Sequence, residues 1–397
     1  MSALQKSIMK NKLPPRCPRT SGVSKLAPFG AGRRKDYSPV SWKQYFEKYL
    51  DVETEGGIFR VYLSPEPDHP ERPRIITLHG GGYSGLSWAL FSEEITNMIH
   101  CQVISMDIRG HGETKAHNCD DLSAETLVKD VEEVLHKLFG AILPPLILVG
   151  HSMGGAIAVR TAHLPSLEQS IQGIAVIDVV EGTAMDALAS MQSFLRGRPT
   201  HFKSIEHAIE WCVRSGQVRN VDSAKVSMPS QIVNVETGRL ATHEVESYTG
   251  LEADELSGPT EHGTRPDAIA EDAELTFTEP MPVGDSATMK YKWRIDLSKT
   301  ERHWSGWFKG LSAAFLSVRA PRLLLLASID GLDRELTVGQ MQGKFQMQVL
   351  TRCGHAVHED TPGEVARVVA SFALRHRLTS VTENGEHMSL SSGPPGC

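Results

Sequence analysis

The chain has 397 residues, 40% hydrophobic and 22% charged, enough to bury a large core and long for one minimal domain, so insertions or tails are expected. Its formal charge of −7 argues against a general nucleic-acid binder, and no apolar run approaches the roughly 20 residues of a membrane span. Cys17, Cys101, Cys119, Cys212, Cys353 and Cys397 form no Cys-x-x-Cys pair, and the N-terminus lacks the apolar core of a secretory signal, which points to the cytosol or nucleus.

Residues 1–36 are rich in Pro, Gly, Ser, Lys and Arg and read as a disordered N-terminal tail, with Arg33-Arg34-Lys35 a solvated basic cluster. From Trp42 the pattern changes: Ile58–Leu63 and Arg74–Leu78 read as strands. The second ends in His79-Gly80-Gly81-Gly82-Tyr83, a loop with freely approachable backbone N–H groups; the Gly-Lys-Ser/Thr of a phosphate loop does not follow. Ser84–Ile99 reads as a helix and Gln102–Ile108 as a strand. Its terminal turn, Asp107-Ile108-Arg109-Gly110-His111-Gly112, has polar residues suited to bracing nearby loops, and His111 is read as structural. A helix to Phe139 opens with Asp120, Asp121, Ser123 and Glu125, as capping and dipole chemistry prefer.

Leu146–Val149, a branched strand-type run, leads into Gly150-His151-Ser152-Met153-Gly154 and a helix-forming segment. Strand, Gly-x-Ser-x-Gly and helix together describe the nucleophile elbow of an α/β-hydrolase, whose mostly parallel central sheet is flanked by helices. Ser152 is the expected nucleophile, and the N–H groups of Gly81 and Met153 are the expected oxyanion hole. Gly354-His355, after the strand Phe345–Leu350 and before the helix Gly363–Arg375, supplies the general base, with His355 preferred over His358. Two carboxylates compete to orient it. Asp178 closes the strand Ile174–Ile177 and Asp330 follows the strand Leu323–Ala327; spacing does not separate them. No His-Glu-x-x-His is present, and the expected chemistry uses no metal and no cofactor.

Met185–Leu195 and Ile205–Ser215 read as helices, and Tyr291–Leu316 carries Trp293, Trp304, Trp307 and Phe308. These pieces are expected to form a helical cap over the serine, about 181–318, with the aromatics packing lid to core. Inside it, Thr242 to Asp285 holds twelve Asp or Glu and one basic residue, Arg265, which reads as a disordered acidic insertion at about 236–288. The hydrolase domain is placed at 37–378 and a flexible tail at 379–397.

Several blocks carry a more specific likeness: His79-Gly80-Gly81-Gly82, Asp121-Leu122-Ser123-Ala124-Glu125-Thr126, Gly150 to Val159, Ile177 to Leu188, Phe194-Leu195-Arg196-Gly197-Arg198-Pro199 and Gly339 to Leu350. With them the chain resembles the protein phosphatase methylesterase family. The resemblance implies a serine esterase that removes the methyl ester from the C-terminal leucine of the protein phosphatase 2A catalytic subunit, its substrate and partner. It also places the acid after the strand that follows the nucleophile, at Asp178, and leaves Asp330 as runner-up. The acidic segment is less densely charged than the family's. Two readings from other classes stay open: a small-molecule esterase or lipase, and a non-catalytic phosphatase-binding protein on the same fold.

Overall fold

The computed structural model describes residues 35–247 and 289–387. The main sheet contains β1 (Lys48–Thr54), β2 (Gly57–Leu63), β3 (Arg74–Leu78), β4 (Gln102–Met106), the short β5 (Lys115–Ala116), β6 (Leu146–His151) and β7 (Ile171–Ile177). Strands β8 (His201–Phe202), β9 (Ile232–Asn234) and β10 (Tyr291–Trp293) make a separate small antiparallel sheet, ordered β8-β10-β9. The main sheet is completed by β11 (Arg322–Leu326) and β12 (Gln346–Val349), giving the order β1-β2-β4-β3-β6-β7-β11-β12 with β5 on β2. Pairs from β4 to β12 are parallel, while β1, β2 and β4 pair antiparallel.

Strands buried on both faces need apolar side chains at every position, not at alternate ones. In β6, Leu146 and Leu148 join the core beneath the helices Ala124–Phe139 and Met153–Thr161, while Ile147 and Val149 join the core beneath Ala89–Met98 and Pro362–Arg375. The parallel strands therefore end together, and their C-terminal turns carry His79, Asp107, Ser152, Asp178 and Ala327 along one edge. In open α/β sheets ligands bind at this edge. The expected helix Ser84–Ile99 starts as a 3-10 turn, Gly85–Trp88, and becomes α-helical at Ala89. The Gly85 N–H donates to Asp107 Oδ1 at 2.7 Å, which ties this helix start to the end of β4.

Above the edge, the helices Ile205–Ser215 and Val221–Ser227 and the small sheet form a cap with its own core of Phe202, Ile209, Cys212, Met228, Ile232 and Tyr291, whereas the helix Glu181–Arg196, expected to open the cap, packs through Ala184, Leu188, Met191 and Leu195 on the core of the main body. The cap does not reach 318. Trp304, Trp307, Phe308, Leu311 and Phe315 belong to the core of the main body, so the helices Glu301–Phe308 and Leu311–Ser317 are part of it. Trp307 Nε1 donates to Leu122 O at 2.6 Å, and the Arg160 guanidinium donates to Gly306 O at 2.9 Å and Lys309 O at 3.0 Å.

Two expected boundaries also move. Residues 236–247, assigned by charge to the insertion, are folded: Arg239 O accepts from Asn234 N at 2.8 Å, and Ala241 and Val245 are buried in the cap core. The acidic Glu244 accepts from Asn234 Nδ2 and from the Tyr291 hydroxyl, so its charge is used inside the fold. Residues 379–387, assigned to the tail, pack on the body through Thr379 Oγ1 to His100 O at 2.6 Å and a bridge between Val381 and Ile99. The remaining parts of the expected tails and insertion, 1–34, 248–288 and 388–397, lie outside the described residues.

Candidate active site

Ser152 sits between β6 and the helix Met153–Thr161 with φ 52° and ψ −119°, a conformation that costs energy for any residue with a Cβ. The neighbouring chain enforces it. A Cβ on Gly150 would come within 2.3 Å of Gly154 O, and one on Gly154 within 2.2 Å of Leu78 O, so both positions exclude any side chain. The Ser152 N–H donates to Ile177 O at 3.0 Å, fastening the elbow to the end of β7.

The glycine loop after β3 lies against the elbow: a Cβ on Gly80 would be 3.3 Å from Ser152 Cβ, and one on Gly81 3.9 Å from Met153 Sδ. Among the described residues neither the Gly81 nor the Met153 N–H donates a hydrogen bond. Two buried histidines hold this loop. His111 Nδ1 donates to Arg109 O at 2.9 Å, which leaves Nε2 to accept from Gly82 N–H at 2.8 Å. His79 repeats the pattern: Nδ1 donates to Gly80 O at 2.8 Å and Nε2 accepts from Ile108 N–H at 3.0 Å. Both rings must be neutral to do this, and burial holds them so, His79 well below the usual imidazole range and His111 down to about 4. His111 is structural, as its place before the serine suggests, and its use as an acceptor is what the sequence did not show.

His355 Nδ1 donates to Asp178 Oδ2 at 2.8 Å. Asp178 stands at the end of β7 with φ 50°, its N–H donating to Leu325 O at 2.8 Å and its Oδ1 accepting from Ala327 N–H at 3.0 Å. Both carboxylate oxygens and the backbone are thus tied to β11 or to the histidine. The backbone of Asp330 lies in the turn Ile329–Gly331, and its side chain is outside the described part of the structure. His358, the second histidine of the loop, points away into the body: its Nε2 is 3.1 Å from Ser87 Oγ, its ring is 4.1 Å from Trp88, and burial pulls its pKa down to about 3.

Two residues that sequence reasoning missed hold the His355 loop. Asp360 Oδ2 accepts from Gly354 N–H at 2.6 Å and its Oδ1 accepts from Arg219 N–H at 2.6 Å, joining the loop to the cap. His151 Nε2 donates to His355 O at 2.8 Å, so the residue before Ser152 supports the backbone of the histidine. The only signal for either is adjacency to a motif. Arg219, one of the two partners of Asp360, and His355, the partner of His151, lie in distant parts of the chain.

Two cavities meet at Ser152, His355, Met191 and Phe308. One, about 570 Å³, is walled by Val180, Ala187, Met191 and Leu326; the other, about 970 Å³, runs past Gly81, Tyr83, Phe194, Arg198 and Trp304. A serine on an elbow, a carboxylate-bound imidazole and two unpaired amides on one cleft are the parts needed for acyl transfer to water.

The class is that of an α/β-hydrolase acting on carboxylic esters. A family model described as the alpha/beta hydrolase family matches residues 75–368. The fold is similar to that of the solved E-2-(acetamidomethylene)succinate hydrolase, at TM-score 0.56 and 16% identity over 82% of this chain and 98% of that one. It is also similar to an esterase of M. tuberculosis, at TM-score 0.51 and 16% identity over 81% and 90%. Much nearer in sequence is protein phosphatase methylesterase 1 of Bos taurus, 50% identical over 95% of this chain and 98% of its own. The Homo sapiens protein of the same name is 50% identical over 95% and 96%, and the probable protein phosphatase methylesterase 1 of Caenorhabditis elegans 40% over 92% and 83%. The chain belongs to the protein phosphatase methylesterases of the alpha/beta hydrolase family. Among the described residues no helix is long and apolar enough to cross a membrane.

Proposed function

We propose that the protein removes the methyl ester from the C-terminal leucine of the protein phosphatase 2A catalytic subunit, its substrate and binding partner, through an acyl-enzyme on Ser152. The observation that carries the reading is one cleft holding Ser152, the 2.8 Å His355–Asp178 pair and the unpaired Gly81 and Met153 amides, in a chain half identical to proteins named for phosphatase methylesterase.

In the first half-reaction His355 Nε2 takes the Ser152 hydroxyl proton as Oγ attacks the ester carbonyl. Negative charge collects on the carbonyl oxygen, where the amides of Gly81 and Met153 stabilise it. His355 then gives the proton to the departing methoxide, releasing methanol. Water repeats the cycle on the acyl-enzyme and frees the carboxylate. Asp178 holds the imidazole in the Nδ1–H tautomer and stabilises the imidazolium, so Asp178 and not Asp330 is the acid of this scheme. Every proton is handled by these side chains, and the scheme calls on no metal or organic cofactor. A cytosolic or nuclear location fits the unpaired cysteines, Cys101, Cys119, Cys212 and Cys353 among the described residues.

The test is incubation with the carboxymethylated phosphatase catalytic subunit while methanol and the free C-terminus are followed. One methanol released per demethylated subunit is expected. Rapid turnover of short-chain esters with no loss of methyl from the subunit would overturn the reading in favour of a small-molecule esterase. Tight binding of the subunit with no labelling of Ser152 by a fluorophosphonate would overturn it in favour of a non-catalytic binding protein.

A further inference from the structure

The larger of the two cavities contains a cation whose partner is not in the described protein. Arg198, just past the helix Glu181–Arg196, lines the wall that also carries Tyr83 and Ser152. Its guanidinium carbon lies 3.5 Å from the centroid of the Trp293 ring. Trp293 is itself held by Nε1 donating to Pro199 O at 2.7 Å and by an edge contact with Trp211 at 5.5 Å. Stacking satisfies the face of a guanidinium and leaves its N–H donors, which radiate in the plane, still to be paired. Arg198 Nε is buried without an acceptor, and among the described residues no carboxylate pairs with the group. The ionisable neighbours Tyr83 and Cys212 are both kept neutral by burial and supply no charge. Burial accordingly pulls the Arg198 pKa down to about 10.

Arg198 is half-buried, and a guanidinium whose Nε is shut away from water without an acceptor gains by meeting an anion that arrives with the ligand. We propose that Arg198 reads the substrate: it pairs with a carboxylate side chain on the peptide just upstream of the ester. This rests on the peptide methylesterase reading above. The smaller cavity at Ser152, walled by Val180, Ala187, Met191 and Leu326, contains no cation and suits the apolar side chain of the residue whose α-carboxyl bears the ester. The preceding residues of the peptide then run through the larger cavity, past the stacked guanidinium. The carboxylate released by hydrolysis is the other anion this cleft sees; it forms at Ser152, beside the amides of Gly81 and Met153.

The experiment compares two hexapeptide methyl esters, identical except that the three residues before the ester terminus include Asp and Glu in one and Asn and Gln in the other. Wild-type kcat/KM is expected to favour the acidic peptide by about 10- to 100-fold, the range of one charge-assisted pairing. Arg198→Met should bring the ratio close to one, and Arg198→Lys should keep part of it. Equal wild-type values for the two peptides overturn the proposal, and that arm needs no variant to fold. A product arm separates the two carboxylates: if the demethylated amide peptide inhibits the wild type, Arg198→Met relieves that inhibition and the charge ratio survives, Arg198 reads the product and the proposal fails. If neither peptide ester is cleaved, the peptide reading fails on its own. The same charge comparison is then made with p-nitrophenyl butyrate and p-nitrophenyl hemiglutarate. An Arg198-dependent preference for the latter retains the carboxylate-reading role, and its absence ends it.

Discussion

The elbow at Ser152 and the loop at His355 meet at the same cleft and are built in opposite ways. The elbow is shaped by exclusion: a Cβ on Gly150 or Gly154 would fall 2.3 or 2.2 Å from a backbone carbonyl oxygen, so the chain can run only as it does. The loop is shaped by attachment. A Cβ on Gly354 would lie 3.2 Å from Asp360 Oδ2, tight but not prohibitive, and the position of His355 comes from Asp178 and His151 reaching it from other elements, with Asp360 holding the adjacent Gly354 N–H. Geometry made by exclusion rests on glycines close to the residue they shape and tolerates no added atom, whether the obstructing carbonyl is a near neighbour, as Gly154, or on another strand, as Leu78. Geometry made by hydrogen bonds spans the chain, tolerates shape and depends on protonation.

The largest effects should come from the chemistry that joins the two. Ser152→Ala is expected to lower methylesterase kcat by about 10⁶-fold, the size of losses when a triad nucleophile is removed. Thermal denaturation should be nearly unchanged, because alanine meets the same backbone demand. Activity within tenfold of wild type would remove Ser152 from the scheme. Asp178→Asn should cost about 10⁴-fold in kcat, since the amide leaves the imidazole free to take the wrong tautomer. A near-normal rate there, with the loss found in Asp330→Asn instead, would transfer the attachment of His355 to the other strand end.

The same contrast governs what the sequence could disclose. The elbow is legible because the residues that exclude and the residue they shape lie within five positions. The glycine loop after β3 is legible for the same reason. The proposed acid was not separable from spacing, because Asp178 and Asp330 both follow neighbouring parallel strands; what the fold adds at Asp178 is a left-handed backbone and the Ala327 N–H it accepts from, beside the pairing of β7 with β11. The link of Asp360 to Arg219, His151 and the acceptor nitrogens of His79 and His111 hide for that reason too, each acting on a partner that only the fold brings near. Composition misjudged residues 236–247 and 379–387, since a window of polar residues does not reveal that Glu244 meets Tyr291 or that Thr379 meets His100. Trp304 and Trp307 read as lid and proved to be body, because an aromatic pattern states that a face is buried and not against what.

Stability should divide along the same line. Gly154→Ala is expected to lower the unfolding free energy by about 3 kcal/mol, the upper range for forcing atoms into a packed site. Gly354→Ala, where the nearest atom belongs to a side chain, should cost about 1 kcal/mol. Urea denaturation of both variants measures the difference, and equal costs would break the distinction between exclusion and attachment.

Of the same order as the glycine costs is a dependence on pH that belongs to the attached loop. Glu359, four residues after His355, is fully buried, with Oε2 accepting from Ser223 Oγ at 2.9 Å, and burial raises its pKa from 4.5 to about 8. The folded state therefore keeps the proton that the unfolded chain releases above about 4.5, so this group's contribution is present in acid and is lost as pH rises from about 4.5 to about 8. Within that window each pH unit costs about 1.4 kcal/mol relative to a side chain that does not titrate. Glu359→Gln removes the dependence and keeps an acceptor for Ser223. Between pH 6 and 7 the wild-type urea midpoint should fall relative to that of the variant, and parallel midpoints would show that the carboxyl ionises in the fold as it does in the open chain. The elbow has no carboxyl of its own to titrate, and the buried His79 and His111 that brace the neighbouring glycine loop contribute the same pH dependence to wild type and variant, so Gly154→Ala should shift the midpoint equally at both pH values.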